Sequence, residues 1–339
     1  MTRPLALTLG EPAGIGPDIT FAAWLKRADL ALPPFYLLGD PEFVERRARL
    51  LGLRVPVSVV EPEGATDAFA TTLPLVALDE KVTAAPGHPD ASSAPAAIAS
   101  IRRAVADVFA GRAHAVVTNP VAKAVLYRTG FAEPGHTEYL ARLAQEYTGH
   151  AAHPVMMLWS PELAVVPVTI HLPVRDVPQR LTTTLIVATG RIVARDLRDR
   201  FGIARPRLAL AGLNPHAGED GTIGGEDRAV VAPAVKQLRA EGIEARGPLP
   251  ADTMFHDAAR RSYDAALAMY HDQALIPIKT LAFYHAVNVT LGLPFVRTSP
   301  DHGTAFDIAG TGKASPASLI AALKLAARLV SASTMTLVK

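Results

Sequence analysis

Cysteine is missing from all 339 residues. Its absence excludes disulfides, thiolate nucleophiles, iron–sulfur clusters and cysteine-bound zinc, so any metal must be held by His, Asp or Glu. Aromatic residues are scarce, at 6%. None interleaves with the small basic clusters Arg102-Arg103 and Arg260-Arg261, which removes the stacking surface that a nucleic-acid groove needs. Charge of one sign is barely in excess, since 34 Lys and Arg against 32 Asp and Glu leave a net +2. The basic clusters therefore read as solvated helix faces. Long hydrophobic runs are lacking too. The opening MTRPLALTLGEPAG meets Gly and Glu before a signal-peptide core can form, and no later run approaches membrane-spanning length. These absences predict a cytoplasmic protein with neither a membrane nor a nucleic acid as partner.

What is present is the composition of a packed globular protein: 49% hydrophobic and 19% charged residues. Short apolar runs alternate with longer helical patterns along the chain. Leu5 to Leu9, Phe35 to Leu38, Ala115 to Thr118, Val155 to Trp159, Leu208 to Ala211 and Ala265 to Met269 read as buried strands. Helix punctuation marks Leu185 to Phe201 before Gly202 and Arg228 to Glu241 before Gly242. In the last helix, Ser315 is placed to cap and Pro316 to fill the first turn. This alternation predicts an α/β fold with a largely parallel sheet. Ala84 to Pro95 reads as a surface loop or arm, and no clear linker divides the chain.

Of eleven histidines, three stand just beyond the carboxyl ends of expected strands. His171 follows Leu163 to Ile170, His216 follows Leu208 to Leu213 through Asn214-Pro215, and His271 follows Ala265 to Tyr270. That edge is where open α/β sheets bind ligands. Three neutral imidazoles there would make an open metal site, with Asp272 or Asp252 as a further ligand or as support. Position alone also fits histidines that are merely hydrogen-bonded.

Two segments are rich in glycine and small polar residues: GEPAGIGPDI at 10–19 and DHGTAFDIAGTG at 301–312. Neither is the GxGxxG strand-to-helix fingerprint, and either alone is compatible with simple turns. Together they resemble two marks of the isopropylmalate and isocitrate dehydrogenase superfamily. By that resemblance His302, Gly303, Thr304, Ala305 and Asp307 contact NAD. Small residues permit close approach, and backbone N–H groups satisfy the cofactor's oxygens. A third set is polar and basic: His136 and Thr137 in GHTEYL, then Lys279, Asn288 and Arg297. Lys and Arg suit a phosphate or a carboxylate, although each taken singly reads first as a solvated charge. Lys123, in the turn TNPVAK, is either a site residue or a helix-start cation.

GEPAGIGPDI, TNPVAK, GHTEYL, TIHLPVRDVP, LNPHAGE, LPADTMF, YHDQALIPIK and RTSPDHGTAFDIAGTG occur in this order along the whole chain. In this combination the sequence resembles the 4-hydroxythreonine-4-phosphate dehydrogenase family of pyridoxal phosphate biosynthesis. The resemblance implies two α/β/α subdomains with a cleft between them, as in isopropylmalate dehydrogenase. By analogy these are residues 1–134 plus 262–339, on the cofactor side, and residues 135–261, with substrate, metal and dimer contacts. It implies that His171, His216 and His271 bind one divalent metal (zinc, magnesium or cobalt), and that His136, Thr137, Lys279, Asn288 and Arg297 bind substrate. It also implies a homodimer with the active site shared between subunits and NAD or NADP as oxidant. The implied reaction oxidises 4-phosphooxy-L-threonine to 2-amino-3-oxo-4-phosphooxybutanoate, which decarboxylates to 3-amino-2-oxopropyl phosphate. Lys279, Asp252 and Asp272 are candidates to take the hydroxyl proton.

Other readings have discriminating features. Relatives resembling this family oxidise phosphorylated four-carbon sugar acids or aromatic cis-dihydrodiols, and Arg297, Lys279 and His136 argue against the dihydrodiol. A metal-dependent hydrolase would have no use for the 301–312 loop. A non-catalytic metabolite-binding protein would bind its ligand without turnover.

Overall fold

The computed structural model of the chain describes residues 3–127, 133 and 135–336, with side chains to residue 332. The chain forms two compact units, Met1–Pro154 with Leu293–Val330, and Val155–Gly292 with Ser331–Lys339. Strands β1 (Leu5–Leu7), β2 (Phe35–Gly39), β3 (Val57–Val59), β4 (Leu73–Ala77) and β5 (Val116–Val117) belong to the first unit. Strands β6 (Val155–Trp159), β7 (Ala164–Pro167), β8 (Arg207–Ala211), β9 (Glu244–Leu249), β10 (Ala265–Ala268) and β11 (Val287–Leu291) build the second. β12 (Arg297–Pro300) returns to the first.

Within the first unit the strand order is β3-β4-β2-β1-β5-β12, and every pairing is parallel. Runs such as LAL and FYLLG are buried throughout, as strands covered on both faces must be. In the second unit the order is β11-β6-β7-β10-β8-β9. Here β6 runs antiparallel to both neighbours and the other pairings are parallel. The α/β expectation holds, but the second unit is mixed. The four residues 160–163 close a tight turn, with the Ser160 amide donating to the Leu163 carbonyl at 2.9 Å. A connection that short can only reverse the chain.

The units divide differently from the expected subdomains. The expected boundary at residue 134 falls outside the described residues. Beyond it, helix His136–Thr148 buries Tyr139, Leu140, Leu143 and Ala144 in the same cluster as Ile101 and Val105 of the first unit. Residues 262–292 lie in the second unit, because β10 inserts between β7 and β8. Among the described residues no helix is long and apolar enough to cross a membrane.

Helix ends follow their local chemistry. The Asp40 side chain caps Pro41–Leu50, and the Thr182 side chain accepts the Leu185 amide at the start of Thr183–Asp199. One buried carboxylate fastens helix Ser93–Phe109 to the sheet. Asp107 accepts the Tyr36 hydroxyl at 2.7 Å, Arg103 Nε at 2.9 Å and Arg112 Nη2 at 2.7 Å. Burial, and next the Asp107 charge, push the Tyr36 hydroxyl pKa far up, so the phenol stays a donor. Asp107→Ala should cost about 3 kcal/mol, because it strands a buried phenol and removes the buried carboxylate that two partly exposed guanidinium groups pair with. Tyr36→Phe should cost about 1–2 kcal/mol. Urea unfolding checks both, with the midpoint falling and the slope unchanged.

Candidate active site

In the first unit, the carboxyl ends of β1, β5 and β12 lead into the three segments that carry its chemistry. Arg297, at the start of β12, is buried. Its Nε and Nη2 donate to Thr118 Oγ1 at 3.2 and 2.7 Å, and Nη2 also faces His136 Nδ1 at 3.4 Å. Burial pushes the guanidinium pKa down to about 10, which still leaves it charged at neutral pH. His136 opens helix His136–Thr148 and is itself buried. Burial first, then Arg297 and Lys123, drive its pKa well below the ordinary histidine value. The ring is therefore neutral. With Nδ1 turned to a donor, the proton belongs on Nε2, and Nε2 is buried without a protein partner. Thr137 follows on the same helix start, where unsatisfied amides and the helix dipole favour an anion. The Glu138 carboxylate and Lys123 Nζ both lie beside Gly135, 2.5 and 3.2 Å from where a Cβ would stand. A guanidinium, an ammonium, a neutral N–H donor and a helix N-terminus thus gather at one place, which suits a phosphomonoester or carboxylate.

The two glycine-rich segments meet. The Ile15 amide donates to the Thr304 carbonyl at 2.9 Å. A Cβ on Gly14 would stand 2.9 Å from that same oxygen, so only glycine permits the approach. Ala305 holds φ 43°, and His302, Gly303 and Asp307 are exposed along the loop. Two residues to which the sequence assigns no role stand beside this junction. Asn119 donates to the Thr8 carbonyl at 3.0 Å and the Thr20 hydroxyl at 2.9 Å, tying β1 to helix Gly16–Leu25. Glu11 is buried with Oε2 unpartnered, and burial raises its pKa.

In the second unit, β7, β8 and β10 lead to His171, His216 and His271. His171 and His271 come together, with ring centroids 5.8 Å apart. Two imidazoles on one ion, at metal–nitrogen distances of about 2.1 Å, place their centroids roughly 5–6 Å apart, so the pair fits a shared divalent ion. His271 Nδ1 meets Asp272 Oδ1 at 2.7 Å. That contact selects the Nδ1–H tautomer and turns the Nε2 lone pair to ligation. His216 does not join them: among the described residues no three His, Asp or Glu side chains are grouped to hold a metal. It is exposed at φ 52°, in a left-handed run from His216 to Asp220. Asp227 anchors this turn by accepting the Leu213 and Asn214 amides at 2.6 and 3.0 Å.

Gln273 was also missed. Its side chain accepts the Met269 amide at 2.6 Å and donates to the Gly212 carbonyl at 2.7 Å, so it ties the ends of β8 and β10 together. Lys279 sits on helix His271–Ala282 with Nζ over the Phe283 ring. Eight positions along the helix separate its Cα from that of His271 by about 12 Å. Asn288 lies on β11 opposite Leu158 of β6. Asp252 is exposed in the turn after β9.

His136 gives the site a pH signature. The unfolded chain takes a proton on this ring near pH 6.5, whereas the folded chain resists it until lower pH. Its contribution to stability is therefore complete above pH 6.5 and is lost as pH falls, by up to about 1.4 kcal/mol per pH unit. Urea midpoints from pH 7.5 to 5.5 should fall more steeply for the native chain than for His136→Gln.

Known proteins resemble the chain along nearly its whole length. The family described as Pyridoxal phosphate biosynthetic protein PdxA matches residues 31–326. A 4-hydroxythreonine-4-phosphate dehydrogenase of Bradyrhizobium diazoefficiens is 67% identical over 340 residues, covering 98% of each chain. One of Xanthobacter autotrophicus is 62% identical over 97% of this chain and 94% of its own. The crystal structure of 4-hydroxythreonine-4-phosphate dehydrogenase from Klebsiella pneumoniae matches with TM-score 0.85 at 38% identity, over 97% of this chain and 100% of that one. The chain belongs to the PdxA family of pyridoxal phosphate biosynthetic proteins.

Proposed function

We propose that the chain oxidises 4-phosphooxy-L-threonine at C3 with NAD⁺ or NADP⁺, giving 2-amino-3-oxo-4-phosphooxybutanoate, which then loses carbon dioxide to leave 3-amino-2-oxopropyl phosphate. The observation that carries this reading is the buried Arg297 beside a neutral His136 at a helix N-terminus, in a chain of this family. It is a receptor for a small anionic group beside Thr118, just past the carboxyl end of β5. Arg297, His136 and Thr137 hold the phosphorylated substrate, with Lys279 and Asn288 as further substrate ligands. The 302–307 stretch receives the dinucleotide through His302, Gly303, Thr304, Ala305 and Asp307.

Bound zinc, magnesium or cobalt would supply Lewis-acid polarisation of the C3 hydroxyl, and the nicotinamide would supply the hydride acceptor. The chain's own residues bind, orient and move the proton. His171 and His271 present the paired imidazoles, and Asp272 orients His271 through Nδ1. Asp272 is thereby committed to the ring, which leaves Lys279 and Asp252 as the groups to take the hydroxyl proton. His216 is proposed as the third imidazole, in a homodimer whose active site is shared between subunits. That arrangement accounts for a single chain assembling only two of the three.

NADH formation by metal-reconstituted protein tests the reading, with 4-phosphooxy-L-threonine, phosphorylated four-carbon sugar acids and a cis-dihydrodiol compared side by side. The phosphothreonine should be preferred and its turnover abolished by a chelator. Activity confined to a sugar acid would move the substrate and keep the site. Arg297→Lys should lower kcat/KM for the phosphorylated substrate about 10–100-fold, the worth of one charged, forked hydrogen bond, while KM for NAD holds.

A further inference from the structure

The sequence placed Asp18 inside the segment GEPAGIGPDI without giving it a task, and the structure shows a buried circuit around it. Asp18 Oδ1 accepts Arg47 Nε at 2.6 Å, and Oδ2 accepts the backbone amide of Gly310 at 2.7 Å. Arg47 Nη2 donates to the Gly14 carbonyl at 2.8 Å. The next residue, Ile15, donates its amide to the Thr304 carbonyl. The 301–312 loop is therefore gripped at two points six residues apart, Thr304 and Gly310. Both grips run back to the 14–18 stretch, and Arg47 locks that stretch in place. Gly310 holds φ +74°, and a Cβ there would stand 2.8 Å from Pro86. The Phe306 carbonyl is likewise 3.0 Å from where a Cβ of Gly87 would be. The loop is thus also packed against the 86–87 turn.

Stability alone is a poor reason for this pair. Both side chains are almost wholly out of water, where an ion pair commonly gains nothing over an apolar pair of the same size. Arg47 Nη1 is also left without a partner. What a charged pair does here, and an apolar one cannot, is hold two backbone groups of different segments at once, the Gly310 amide and the Gly14 carbonyl. We infer that Asp18 and Arg47 are positioning residues for the cofactor, setting the shape of the 301–312 loop before the dinucleotide arrives. The inference rests on the cofactor reading of that loop. It assigns the pair to cofactor affinity and not to the chemical step, because a preformed loop spares the ordering cost of binding.

The test compares Asp18→Asn, Arg47→Lys and Asp307→Ala in the metal-loaded enzyme, measuring KM for NAD, kcat, the urea midpoint and hydrogen exchange of the amides in 305–312. Asp18→Asn should raise KM for NAD about tenfold or more, the loss of one charge-assisted bond. It should leave kcat within about threefold and speed exchange in 305–312 ahead of the rest of the first unit. Arg47→Lys keeps the charge but loses the fork to Gly14, and should do the same more weakly. It decides the matter if Asp18→Asn fails to fold. A lowered urea midpoint with KM for NAD and loop exchange unchanged would overturn the inference and leave the pair a structural one. If Asp307→Ala raises KM for NAD while the Asp18 and Arg47 variants do not, the cofactor loop stands and the positioning role falls. If none of the three moves KM for NAD, the cofactor reading of the loop falls and takes the inference with it.

Discussion

A guanidinium ion held almost entirely out of water at the end of a parallel sheet sets the terms for the first unit. Arg297 is 4% exposed, and the first unit's candidate phosphate chemistry is arranged about that buried charge. His136, 3.4 Å from that guanidinium, stays neutral because burial first, and then the Arg297 and Lys123 charges, oppose protonation. Neutrality in turn fixes the tautomer, since Nδ1 faces a donor and Nε2 must carry the hydrogen. A buried N–H without a protein partner is costly unless a ligand accepts it. The phosphate or carboxylate of a substrate is the acceptor that the surrounding positive charge would choose.

The second unit solves a different problem, which is to bring imidazoles from separate strands to one place. Hydrogen bonds between strand ends do much of this. Thr169 Oγ1 donates to the Met269 carbonyl at 2.7 Å, two residues before His171 and His271 respectively, so those two rings inherit a fixed relation. Gln273 extends the lattice to Gly212. His216 stands four residues beyond that anchor, in a left-handed turn held by Asp227. Non-glycine residues in that conformation are strained, and the cost fits a turn whose purpose is to present one side chain outward.

Much of this was legible in the sequence where a physical signal is local. β1, β2, β6, β8 and β10 were visible as apolar runs because both faces of those strands are covered. β12, with the sequence RTSP, and β11, with VNVTL, carry polar residues where the chemistry sits and give no such run. The compact units have other bounds than the expected subdomains, and nothing in residues 262–292 reveals that β10 inserts between β7 and β8. The glycine segments and strand-end histidines were legible through their residue types, whereas Gln273, Asp227, Glu11 and the Asp18–Arg47 pair were not. Their partners are backbone groups or side chains of remote segments, and such bonds leave no spacing in the sequence.

The protonation state of His136 joins the fold to the proposed chemistry, and ¹⁵N chemical shifts of its ring report it directly. A neutral ring with the hydrogen on Nε2 is expected at pH 7, and its Nε2 resonance should move when a phosphomonoester substrate is added. A doubly protonated ring at that pH, or a neutral ring with its hydrogen on Nδ1 and no response to the phosphorylated ligand, would contradict the site described above.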